Sequence, residues 1–198
     1  MHPWAKNKNT GFTIVELLIV IAVIGILAGI TVVAYNGVSQ RATNTSIIST
    51  AKNSINLIHS YIGATGKYPH SSDSCLVPIQ GSTTCHYGTG DRSVSSLLAS
   101  ELSKFGTLPT SVPDVGHTGT NYVDSVSYIY DNNRTFNGVA QPVVVSYSLK
   151  GVNQQCGVPN VSSVNAATMT TSTTGYTVGN YASQGNTMCV ISVPGPQT

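Results

Sequence analysis

The chain has 198 residues, a mass of 20.7 kDa and a formal net charge of +2. Only 8% of its residues are charged, against ~25% in a typical soluble domain, and Ser, Thr, Asn and Gly take their place. This balance excludes electrostatic steering towards nucleic acid or an acidic partner, and the longest basic cluster is Lys6 with Lys8.

After Lys6 and Lys8 comes an apolar run from Leu17 to Tyr35. At ~1.5 Å per residue it spans about 28 Å, close to the ~30 Å hydrocarbon core of a bilayer. Val32-x-Ala34 would serve as a small-x-small cleavage site. The run nevertheless exceeds the roughly 7–15 apolar residues of a cleaved secretory signal. Two lysines precede the run and only Arg41 follows closely, which places the N-terminus in the cytoplasm and the bulk of the chain outside. Glu16 stands at the entrance to the run. A carboxylate there is costly unless it stays at the interface, near the positive end of the helix dipole, or meets a cation.

The segment GFTIVELLIVIAVIGILAGITVVAY, residues 11–35, resembles the class III signal of type IV prepilins, and the likeness extends more loosely to residue 62. The resemblance implies that a prepilin peptidase cuts between Gly11 and Phe12, that Phe12 is N-methylated, and that Glu16 becomes the fifth mature residue. It implies further partners: sister pilin subunits in a homopolymer, an inner-membrane assembly platform, and the membrane itself before assembly. The chain would then be a single-pass membrane precursor whose mature form resides in an extracellular pilus. Cleavage creates an ammonium at Phe12. On a helix Phe12 and Glu16 are i and i+4 and face one side. Between chains, Glu16 of one subunit would meet the Phe12 amine of another. An unpaired Glu16 in a filament core is penalised, so the pairing enforces register. Many members of the family carry proline at the position of Val33. Here Gly25 and Gly29 are the weak points, each costing roughly 1 kcal/mol of helix propensity relative to alanine.

Helix is expected to continue from Asn36 to Ile62. Ile48, Ala51, Ile55, Ile58 and Ile62 repeat at spacings of three and four, while Gln40, Arg41, Asn44, Lys52 and Asn56 take the other faces. Asn36-Gly37 is a candidate kink, and Gly63, Gly66 and Tyr68-Pro69 end the helix. A helix from Phe12 to Ile62 is about 76 Å long; no compact domain of this size buries it, so it is expected to protrude, as a filament subunit requires. Residues 63–120 read as a connecting region with one short helix, Ser93 to Lys104, carrying Val94, Leu97, Leu98 and Leu102 on one side. Tyr122–Tyr130 reads as a strand with Tyr122, Val126, Tyr128 and Tyr130 on one face. Asn132-Asn133 and Asn137-Gly138 turn the chain into a partner strand, Val143–Leu149, with Pro142 at its start. Gly175–Val178 and Thr187–Val193 are further strand candidates.

The fold class is α+β: a long N-terminal helix packed on an antiparallel sheet, an order similar to the type IV pilin fold. The segments are a leader (1–11), a transmembrane and assembly helix (12–35), an amphipathic helix half (36–62) and an extracellular globular domain (63–198). Cys75, Cys85, Cys156 and Cys189 form no C-x-x-C pair. Behind a membrane-targeting segment they suggest disulfides, with three possible connectivities. Loop-closure entropy favours local pairing, Cys75–Cys85 and Cys156–Cys189. In pilins the second span would correspond to a disulfide-bounded C-terminal loop.

No residue pattern supports catalysis, a cofactor or a metal: G-x-S-x-G, H-E-x-x-H and phosphate-binding glycine loops are all missing from the sequence. His59, His70, His86 and His117 read as isolated surface residues. Asp114, Asp124 and Asp131 lack calcium-ligand spacing. Asn44, Asn133 and Asn160 open N-x-S/T triplets that chance explains in a chain of this composition. The expected function is therefore a structural subunit of a type IV pilus. The alternatives are a pseudopilin of a type II secretion or competence system, and a non-polymerising membrane-anchored surface protein. Nothing in the pattern selects among twitching, adhesion and DNA uptake, or names a DNA or surface ligand.

Overall fold

The computed structural model describes residues 11–117, 122–178 and 185–195, and of Val33 the backbone alone. Apart from Gly11, the expected leader lies outside the described residues. The chain divides into two compact units between Ser39 and Gln40. Helix α1 (Ile14–Thr65) contributes to both.

In the first unit, α1 is apolar on every side. Leu17, Ile21, Ile24, Leu27 and Ile30 are all exposed. The stretch is long and apolar enough to cross a membrane, and none of it is buried within the chain. A helix that is hydrophobic all round needs lipid or other helices around it. Gly25, Gly29 and the expected kink at Asn36-Gly37 are all helical.

The second unit is built on a four-stranded antiparallel sheet. Its order is β1 (Ser74–Val77), β5 (Val126–Tyr130), β8 (Val143–Lys150), β10 (Asn186–Ser192). One face packs on α1. Val126 and Tyr128 of β5, Val143, Val145, Tyr147 and Leu149 of β8, and Cys189 and Ile191 of β10 join Ile47, Ala51, Ile55, Ile58 and Ile62 in one core. The other face carries Ile129, Val144, Met188 and Val190. It is covered by two small sheets: β3 (Gly90–Ser93), β2 (Thr84–Gly88), β4 (Tyr122–Val123), and β7 (Val139–Ala140), β6 (Thr135–Phe136), β9 (Thr168–Met169). Tyr87, Val123, Phe136 and Met169 supply this second core. Cover on both faces explains why β10 is buried throughout and β8 up to Lys150, their polar residues included.

Several sequence expectations need correction. The long helix passes through Gly63 and stops at Gly66, whose φ of +66° and N–H bond to the Ile62 carbonyl at 2.8 Å make the left-handed end that glycine favours. The buried stripe centres on Ile47, with Ile48 only partly buried, and includes Asn44 and Ser54. The region 63–120 is not merely connecting, since it contains β1, β2 and β3. These strands are four or five residues long, too short for period-two patterning to reveal them. Helix α2 (Ser96–Ser103) is capped by Ser95, which accepts from the Leu98 amide. It buries Leu98 and Leu102 but leaves Leu97 exposed, and Val94 lies before its start, bridged to Cys75.

The single strand expected over Tyr122–Tyr130 is two. Ser125, at φ +58°, breaks it. His86 N–H donates to Asp124 Oδ1 at 2.6 Å, and Asp124 N–H to the His86 carbonyl at 3.2 Å, so the first piece stays on β2 while the second joins β8. Asn137-Gly138 closes its own β6–β7 hairpin, with φ of +51° and +78° at the two loop residues, as an Asn-Gly two-residue turn does. Gly175–Val178 contributes only a bridge from Val178 to Val164.

Candidate functional site

The candidate site is the start of α1. Thr13 is its N-cap: its carbonyl accepts from the Leu17 amide at 3.3 Å. Its Oγ1 accepts from the Glu16 amide at 3.2 Å, while Glu16 Oε2 accepts from the Thr13 amide and hydroxyl, both at 2.8 Å. This is a capping box, the T-x-x-E pattern in which each side chain satisfies the other's backbone. The signal stood in the sequence as Thr13-Ile14-Val15-Glu16, and a reading focused on the carboxylate's charge passed over it. Phe12 precedes the cap and is 89% exposed. It is therefore outside the helix, and the expected helical i, i+4 relation to Glu16 does not hold. Gly11 is exposed beside it, with open space where a side chain would stand.

The other singled-out residues lie in the second unit. Cys75 pairs with Cys85 and Cys156 with Cys189, at Cα separations of 5.1 and 5.7 Å. All four are buried. The first bridge joins β1 to β2. The second ties the loop after β8 to β10, beside Tyr147, whose hydroxyl donates to the Cys156 carbonyl at 2.7 Å.

Asn44, expected on a face away from the apolar stripe, is buried. Its Oδ1 accepts from the Lys150 amide at 2.8 Å and its Nδ2 donates to the Lys150 carbonyl at 3.0 Å. Gln40 Nε2 donates to the same carbonyl at 2.8 Å. This ties the helix to the end of β8. Of the three N-x-S/T asparagines, Asn133 alone is exposed.

Asp124 and Asp131 spend their carboxylates on backbone amides. Among the described residues no three His, Cys, Asp or Glu side chains gather as a metal would need. His86 and His117 are not isolated, because both contact Tyr122.

A family model described as "Prokaryotic N-terminal methylation motif" matches residues 6–32. Two curated relatives, both type IV major pilin protein PilE1 of Neisseria gonorrhoeae, are 38% identical to the chain over 72 residues. The match covers 36% of this chain and 44% and 40% of those proteins. The chain thus spans less than half the length of the curated relatives it matches. No solved structure matches it. With the methylation motif at residues 6–32, a long apolar helix and antiparallel sheets behind it, the chain is homologous over 72 residues to the type IV major pilin PilE1 and has a type IV pilin-like α+β architecture.

Proposed function

We propose that this chain is a structural, non-enzymatic subunit of a type IV pilus. It is made as a membrane-anchored precursor with a cytoplasmic N-terminus. Prepilin peptidase cuts it after Gly11, Phe12 is N-methylated, and the assembly platform adds it to a homopolymer through residues 12–35.

The observation that carries this reading is the arrangement Gly11-Phe12-Thr13-x-x-Glu16 at the head of a helix whose apolar sides are all exposed. A cut after Gly11 leaves the capping box whole, because the box uses the Thr13 amide and not the Phe12 nitrogen. The three capping bonds engage only one carboxylate oxygen, Oε2. Oε1 is then the natural acceptor for the new ammonium of a neighbouring chain, a charge-assisted bond of the stronger kind. Lipid surrounds the helix before assembly and neighbouring helices surround it afterwards, which meets the demand of an all-round apolar surface in both states.

Electron microscopy of cells carrying the wild-type chain or Glu16→Ala tests this role. Long surface fibres containing the wild-type chain, sharply reduced in the variant, are the expected result. Fibres at wild-type abundance in the variant remove the pairing role of Glu16. Wild-type cells without long fibres containing this chain favour a secretion or competence pseudopilin.

A further inference from the structure

His86 and His117 lie on opposite faces of the Tyr122 ring. Their centroids are 4.0 and 4.5 Å from the tyrosine's, and both planes lie within 19° of it. The three rings come from separate places. His86 is on β2, Tyr122 on β4, and His117 ends the stretch that begins where Val112 bridges Ile79.

The two imidazoles are not equivalent. His86 Nδ1 is 2.7 Å from Asp91 Oδ1 and its Nε2 is 2.8 Å from the Gly88 carbonyl. Both nitrogens therefore have acceptors suited to an imidazolium. The His117 side chain is only 6% exposed, and its Nε2 has no hydrogen-bond partner among the described residues. Whichever nitrogen carries the proton of the neutral ring, the imidazolium carries one on Nε2 as well, a buried cationic donor with no acceptor among the described residues.

The charged and titratable groups facing His117 are few. Asp114, on its own segment, has Oδ1 at 3.8 Å from Nδ1. Asp124 faces it from the β4–β5 connection, His86 from β2 and Tyr122 from β4, with Asp91 of β3 behind His86. Burial outweighs the two nearer carboxylates and pushes the His117 imidazole below its ordinary value.

We propose that His117 is an acid-released latch: as a neutral ring it clasps Tyr122 and holds the chain at His117 against the β2–β3–β4 sheet, and as a cation it lets go, while Gly116 stays bonded to Asn186 of β10. A histidine whose folded value is depressed stabilises fully above the unfolded value near 6.5 and loses that contribution as pH falls below it. Release is local. Val112 N–H stays bonded to the Pro78 carbonyl at 2.9 Å and Val115 stays in the main core. What opens is the face of Tyr122 and the ladder between Tyr122 and Gly88.

Hydrogen exchange of the full chain in detergent, corrected for intrinsic rates, tests this at about pH 7.5 and pH 5.5. The expected result is a loss of protection of about ten-fold at Tyr122 and Val123 on acidification, with β8 and β10 unchanged. His117→Phe keeps an aromatic ring on Tyr122 without a proton site and should abolish the pH dependence. Equal protection at both pH values, or the same loss in the variant, overturns the proposal. Should the variant fail to fold, an NMR titration of wild-type His117 decides: a midpoint below 6.5 supports the latch and one at or above it removes it.

Discussion

Thr13 and Glu16 cap one helix end from both directions, the threonine hydroxyl taking the Glu16 amide and the Glu16 carboxylate taking the Thr13 amide. The residue that looked like a misplaced charge at a membrane edge therefore already has a structural task within its own chain. The capping box orients the carboxylate and starts the helix at Ile14, leaving Gly11 and Phe12 as an exposed, non-helical segment.

Thr13→Ala should fray the first turn of α1 without disturbing the second unit. Loss of a threonine N-cap predicts amide exchange about five-fold faster at Ile14–Glu16 in detergent. Thr13→Ser, which keeps the hydroxyl, should restore most of the protection.

Asn44→Ala removes both bonds to Lys150 and takes the acceptor from its amide at the end of β8, while the Lys150 carbonyl keeps the Gln40 donor. The expected loss is about 1–3 kcal/mol, read from urea unfolding of the full chain followed by near-UV circular dichroism. Arg41→Ala, an exposed neighbour on the same helix, should stay within about 0.5 kcal/mol of wild type.

The two disulfides should contribute unequally. Cys156 and Cys189 are separated by 33 residues and Cys75 and Cys85 by 10. Loop-closure entropy gives about 4 kcal/mol for the first bridge and about 3 kcal/mol for the second. Paired Cys→Ser variants in the same unfolding assay should rank in that order.

Much of this architecture was legible from the chain. The apolar run, the amphipathic continuation and the strands at 143–149 and 187–193 announced themselves by length and pattern. What stayed hidden has physical reasons. Strands β1, β2 and β3 are only four or five residues long, too short for a pattern to stand out. Tyr122–Tyr130 looked like one strand because a left-handed Ser125 leaves no mark in a hydropathy pattern. Ile47 and Ile48 are adjacent isoleucines, and only packing tells which one points inward. At the site itself, Gly11, Phe12 and Glu16 were visible by spacing. The part played by Thr13 was equally visible as T-x-x-E, the capping-box spacing.

Alkaline titration should divide the tyrosines into two classes. Burial, with some help from Tyr130, pushes Tyr68 up to about 12. Burial also raises Tyr128 and, most of all, Tyr147. Each donates its hydroxyl to a backbone carbonyl: Val193, His70 and Cys156 in turn. Folded values above the unfolded value of about 10 mean that their stabilisation is complete below that pH and lost as pH rises through the folded values. Phenolate absorbance should therefore show these three appearing together with unfolding, after the exposed tyrosines have ionised.

The central claim is that this chain becomes a filament subunit by losing its leader at Gly11. Mass spectrometry of the chain recovered from sheared surface filaments tests it most directly. The expected species begins at Phe12 and carries one additional methyl group at its amine. A filament-derived chain that retains residues 1–11, or that begins at any residue other than Phe12, would contradict the account.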